Sequence, residues 1–136
     1  MSFRRSRLFS KRSALFALAA LPLAFTAALA ADATPFTQAE FDAALNAKKP
    51  VLVEIHADWC PTCKVQAPII KSLTEQSKFS GMAVLRVDFD AQKDIVRQFG
   101  AQQQSTLIVF KDGKEVARSV GETGLVPIAE LLGKGI

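Results

Sequence analysis

From residue 31 onward, apolar positions alternate between two periods, and each switch marks an element. Phe41, Ala44 and Leu45 recur at helical spacing behind Thr37-Gln38-Ala39-Glu40, a capping box in which Thr37 and Glu40 each satisfy a free backbone donor. That helix ends near Lys48 and Pro50, and Pro35 holds the lead before it extended. Val51 to His56 is a β-branched-rich run with the look of a buried parallel strand. Glu54 and His56 interrupt it, and a period of two puts both on one face. A carboxylate inside such a strand is unfavourable unless paired or protonated, so Glu54 needs a partner or a task.

Helical spacing returns between Val65 and Gln76 through Ile69, Ile70 and Leu73, with a kink expected at Pro68, which lacks a backbone donor. Ala83 to Phe89 reads as a second buried strand. Asp90 is placed to cap a short helix that buries Ile95, Val96 and Phe99 and stops at Gly100. Thr106 to Phe110 is a third strand. Lys111-Asp112-Gly113-Lys114 turns it back into an antiparallel Glu115–Val120 strand, and a last helix around Pro127 packs Ile128, Leu131 and Leu132. This order predicts an α/β domain, a mixed central sheet with helices on both faces.

Charge changes the picture only at the start of the chain. The formal charge is +4, but Arg4, Arg5, Arg7, Lys11 and Arg12 precede the first acid, Asp32; without residues 1–30, 12 bases face all 13 acids, a formal −1. The basicity therefore carries no nucleic-acid signal. A basic start, an uncharged stretch from Ala14 to Ala30 and the small-residue end Ala28-Leu29-Ala30 read as a signal peptide cleaved near Ala31. An uncleaved membrane anchor is the alternative, and Arg4-Arg5 is a weak match to a twin-arginine signal. The expected domains are thus 1–30, the leader, and 31–136, a monomeric periplasmic domain in a compartment where a disulfide persists.

The chemistry converges on Ala57-Asp58-Trp59-Cys60-Pro61-Thr62-Cys63-Lys64, which holds both cysteines and the one tryptophan. Pro61 suits the first helical position, which makes Cys60 the cap. Its sulfur then faces the free amides of the first turn and the positive end of the helix dipole, both of which favour thiolate. Cys60 is the expected nucleophile toward a substrate disulfide, and Cys63, one turn inside, the resolver. Glu54, with a carboxyl pKa raised by burial, is a candidate proton acceptor for Cys63, assisted by His56. Half a metal site and a purely structural disulfide are the competing readings. Structural zinc normally takes four ligands, and a loop this short constrains the unfolded chain little.

Trp59-Cys60-Pro61-Thr62-Cys63-Lys64, followed by Ala67-Pro68, resembles the W-C-x-x-C-K…A-P pattern of the thioredoxin family, and the likeness extends over essentially all of residues 31–136. Glu54 falls where that family keeps a buried aspartate and Arg86 where it keeps a lysine paired with it. Lys111–Lys114 matches the family hairpin and Val120-Gly121 its late glycine. The resemblance implies the thioredoxin fold and thiol–disulfide exchange. It departs at three places. The dipeptide is Pro61-Thr62, similar to periplasmic thioredoxin-like proteins of cytochrome c maturation but without their further motifs. His56 replaces a tryptophan, and Ser105-Thr106 stands where the family has cis-Pro followed by Thr.

In the family that last loop faces the cysteine pair and receives the substrate backbone. A cis bond before a non-proline residue is disfavoured by roughly 2.5–4 kcal/mol, so Gln104–Ser105 is expected trans. The resulting groove should offer a hydroxyl and one additional amide near Cys60; access for a metal or cluster ligand is a secondary reading of the same change. The expected enzyme is an exported thiol–disulfide oxidoreductase acting on protein disulfides with an unidentified redox partner. Its catalytic residues are Cys60, Cys63 and Glu54, supported by His56 and Arg86. Trp59, Pro61, Thr62, Gln104, Ser105 and Thr106 form the substrate surface. No nucleotide, flavin or phosphate motif occurs, so neither organic cofactor nor metal is expected. A non-catalytic binding module on the same fold is the alternative.

Overall fold

The computed structural model describes residues 32–136, so the expected leader lies outside the described residues. The elements in chain order are β1 (Thr34–Pro35), α1 (Gln38–Asn46), β2 (Val51–His56), α2 (Pro61–Thr74), β3 (Ala83–Asp88), α3 (Lys93–Gln98), β4 (Thr106–Lys111), β5 (Lys114–Val120) and α4 (Leu125–Gly133). The five strands lie in the order β1-β3-β2-β4-β5. β1, β3 and β2 run parallel, whereas β4 and β5 are antiparallel to their neighbours.

Alternation along the strands divides the core into two layers. Val51, Val53 and Ile55 of β2, with Leu85, Val87, Ile108 and Phe110, face α1 and α3. Phe36, Phe41, Phe99 and Phe110 fill that side, their ring centroids 5.1–5.9 Å apart and mostly edge to face. Leu52, Val84, Leu107 and Val109 face the other way, against Ile70 and Leu73 of α2 and Ile128 and Leu132 of α4. Glu54 is in phase with Leu52, so it lies on the face that α2 and α4 cover.

Two local expectations change. The extended lead is a strand, pairing Thr34 with Leu85 and Pro35 with Arg86 at the sheet edge, where a residue without an N–H is tolerated. α2 begins at Pro61 with Cys60 ahead of it, as expected, and runs through Pro68 to Thr74. Asp90 caps nothing: α3 starts at Lys93 behind Gln92, and Asp88 takes the amides of Asp90 and Ala91 at 2.8 and 2.9 Å. In α1, Thr37 accepts the amide of Glu40 at 3.1 Å. Thr37→Ala should lower stability by about 1 kcal/mol, seen as a fall in the urea midpoint at constant slope.

Candidate active site

β2 ends at His56, and the chain turns through Ala57, Asp58 and Trp59 before entering α2. The turn is closed by the Cys60 amide donating to the Ala57 carbonyl at 3.0 Å. Cys60 has extended backbone angles (φ −76°, ψ 114°), and its sulfur accepts the amide of Cys63 at 3.1 Å. It is therefore the helix cap. The two cysteines form a disulfide with Cα atoms 5.3 Å apart, and both are almost fully buried, at 1% and 2% exposure, beside Ala57 and Phe89. When the bond is reduced, the amide that meets Cys60 Sγ favours its thiolate.

Trp59 forms an exposed rim with Pro61, and Thr62 is half-buried beside them. The indole N–H of Trp59 donates to Asp90 Oδ2 at 2.7 Å. This pairing replaces the helix-capping task expected of Asp90. The two residues are 31 positions apart, so no local pattern announces it.

Glu54 is 4% exposed. Its register partner on β3 is Arg86, whose Nε donates to Glu54 Oε2 at 2.9 Å, while Oε1 is buried without a partner. Burial pushes the Glu54 carboxyl above its ordinary range; the Arg86 charge and hydrogen bond, and the nearby His56, pull it back only in part. The Arg86 side chain remains one-third exposed and lines clefts of about 360 and 250 Å³. His56 turns toward the exposed Asp58, with Nε2 3.4 Å from Oδ1. Among the described residues no three His, Cys, Asp or Glu side chains cluster as a metal site.

The loop before β4 departs from expectation. No cis peptide occurs among the described residues, so Gln104–Ser105 is trans, and Ser105 takes φ +58°. Its amide does not extend the groove's donors, because it donates inward to the Ile55 carbonyl at 2.8 Å. Its hydroxyl is also spoken for, donating to the Gln104 carbonyl at 2.6 Å, and the Thr106 hydroxyl donates to Gln103 at 2.8 Å. A proline lacks the N–H for the first of these bonds, so serine here lengthens the β2–β4 ladder.

The thioredoxin family profile matches residues 32–134. This chain belongs to the thioredoxin family. It is 39% identical to a thioredoxin of Chlamydia muridarum over 84 residues, spanning 62% of this chain and 80% of the relative. It is 38% identical to thioredoxin-1 of Saccharomyces cerevisiae over 85 residues, 62% of this chain and 81% of the other. Among solved structures it is similar to Trxlp from Edwardsiella tarda, at 42% identity with a TM-score of 0.71, covering 72% of this chain and 95% of that one.

As a thioredoxin, the chain is a thiol–disulfide oxidoreductase whose redox equivalents reside in Cys60 and Cys63 themselves, without a cofactor. The disulfide at the head of α2 is its oxidised active site, not a structural staple. Two buried polar residues of α2 escaped the sequence reading, Gln66 and Thr74. The Thr74 hydroxyl donates back to the Ile70 carbonyl of its own helix at 3.0 Å, which leaves Gln66 as the one that reaches elsewhere. Gln66, between Cys63 and Ile70 on the inner stripe of α2, is 4% exposed. The available signal was its polarity at a core-facing helical position.

Proposed function

We infer that this thioredoxin is exported and exchanges the disulfides of other proteins, with Glu54 accepting the proton of the resolving thiol. The carrying observation is the capped disulfide: Cys60 at the head of α2 with the Cys63 amide on its sulfur. In the reducing direction, the Cys60 thiolate attacks one sulfur of a substrate disulfide and the other sulfur leaves as a thiolate. Glu54 takes the Cys63 proton, directly or through water. The Cys63 thiolate then attacks Cys60 Sγ, closing the Cys60–Cys63 disulfide and releasing the second substrate sulfur. Two electrons pass from the protein dithiol to the substrate, and a partner dithiol restores them.

Burial on the α2 side of the sheet and a raised pKa suit Glu54 to this task, because an ordinary carboxylate is a weaker base. Arg86 holds the carboxyl through Oε2 and leaves Oε1 free. Trp59, Pro61, Thr62 and the Gln104–Thr106 loop form the surface that meets substrate. Export is supported by the basic start, the uncharged Ala14–Ala30 stretch and the Ala28-Leu29-Ala30 end.

Cys63→Ser tests the chemistry. It leaves Cys60 able to attack but removes the resolver, so mixed disulfides should accumulate and disappear on adding dithiothreitol. Absence of trapped proteins, with Cys60 alkylating like an ordinary thiol, would contradict substrate exchange. Export is tested by fractionating cells that express the full chain. Periplasmic protein with an N-terminus near Ala31 is expected, and retention of an intact chain in the cytoplasm would overturn it.

A further inference from the structure

Gln66 belongs neither to the cysteine chemistry nor to the apolar packing around it. It sits one turn beyond Cys63 on the buried stripe of α2 that also carries Ile70, Leu73 and Thr74. A primary amide placed there only to fill space would be unfavourable, since its polar atoms lose water. Instead its Nε2 donates to two carbonyls, Ser105 at 3.2 Å and Glu122 at 2.8 Å. Both partners are acceptors, so the NH2 end of the side chain must face them. The two hydrogens of one buried group thus join α2 to two loops that are 39 and 56 residues away in sequence.

Ser105 has particular need of such a tie. With φ +58° it occupies the left-handed region, which a residue with a Cβ holds only when its surroundings impose it. Its amide is fixed by Ile55 at 2.8 Å, and its carbonyl takes the Gly121 amide at 3.0 Å as well as Gln66. Every backbone polar group of Ser105 is therefore held. The loop borders the site: Thr106 pairs with Ile55 at the end of β2, and two residues later Ala57 packs against both cysteines.

We propose that Gln66 is a positioning residue for exchange with polypeptide disulfides: it locks the Ser105 loop to the helix that carries the cysteines. A protein substrate then meets a preformed edge beside the disulfide. A small disulfide, which needs only the sulfurs, gains nothing from it. The proposal rests on the reading of Gln104–Thr106 as substrate surface.

The test uses Gln66→Met, which keeps the reach of the side chain and removes its donors. With dithiothreitol as electron source, the KM for insulin should rise about tenfold with kcat nearly unchanged. Turnover of a small aromatic disulfide should stay within about twofold of the parent, and the Ser105 and Gly121 amides should exchange with solvent at least about tenfold faster. Unchanged amide exchange overturns the lock. Faster exchange with an unmoved insulin KM, or an equal loss on both disulfides, overturns the positioning role. A measurement on the unmodified protein does not depend on whether the variant folds. The side-chain NH2 protons of Gln66 should exchange at least about tenfold more slowly than those of the exposed Gln102 and Gln103, and equal rates overturn the proposal. The Cys63→Ser trap keeps the two readings apart. Trapped proteins beside an unmoved KM defeat only the role of Gln66, whereas absence of trapped proteins defeats the exchange reading itself.

Discussion

Cys60→Ser is expected to reduce insulin turnover by on the order of 10³-fold or more, to the uncatalysed background. A serine hydroxyl at the same place stays protonated at neutral pH, and the amide and helix dipole that favour a thiolate cannot make it a comparable nucleophile. Cys63, one turn inside the helix, lacks the cap position whose free amides favour a thiolate, so it cannot take over. The loss is chemical and not a failure to fold. Serine is a preferred helix cap and can still accept the Cys63 amide, so α2 keeps its start. The disulfide spans three residue steps, and closing so short a loop accounts for about 2 kcal/mol in the chain-entropy picture. The comparison is therefore made between the reduced parent and the variant, with circular dichroism and a urea midpoint as controls. Residual turnover above about a hundredth of the parent would show that Cys63 or another group can initiate attack.

Glu54→Gln should move stability and activity in opposite directions. The glutamine keeps an acceptor for Arg86 Nε and removes a buried charge. Because burial raises the folded pKa of Glu54 above its ordinary carboxyl value, the parent is favoured when this group is protonated in both states. Below the unfolded value the two proteins should therefore differ little in pH response. As pH rises from there through the folded pKa, the parent loses stability that the variant does not. Above that window the variant should be the more stable of the two, because it carries no charge to desolvate while Arg86, one-third exposed, keeps solvent contact. Asp32, Asp88 and Glu115 slope the opposite way, each held low by hydrogen bonding and charge, so the informative quantity is the difference between the two urea curves.

Activity should fall because glutamine cannot accept a proton. The resolving step, followed in a single turnover from a preformed mixed disulfide at neutral pH, should slow by roughly 10²-fold. The initial attack by Cys60 should change little. Equal resolution rates in parent and variant would return Glu54 to a structural acid paired with Arg86. A variant less stable than the parent at neutral pH would mean that the ion pair outweighs the burial it requires.

Much of this molecule is local in origin. The capping threonine, the run from Val51 to His56, the Asp112-Gly113 turn and the Cys60-Pro61 helix start each act over a few residues, so alternation and cap chemistry predict them from sequence. That helices cover both faces also follows, because odd and even strand positions carry two separate apolar sets; that α1 and α3 share one face and α2 and α4 the other is a property of the assembled fold. The cysteine pair was legible for the same reason: nucleophile, cap and resolver lie within one helical turn. Arg86 was reached through likeness to a family, and the register that pairs it with Glu54 is a property of the assembled sheet.

What the sequence could not decide is where polar groups go once the elements meet. Asp90, suited by composition to cap a helix, holds the Trp59 indole instead. The Ser105 amide, expected to face the groove, closes on Ile55. Gln66, silent in a helical stripe, gathers the carbonyls of two distant loops. The physical reason is common to all three. Apolar burial is nondirectional and can be anticipated from periodicity, whereas a hydrogen bond needs a partner at about 3 Å with the right orientation. Sequence alone therefore determined the fold class and the reacting sulfurs. Only tertiary packing, by bringing those partners within reach, decided how the rim and the loop beside the disulfide are held.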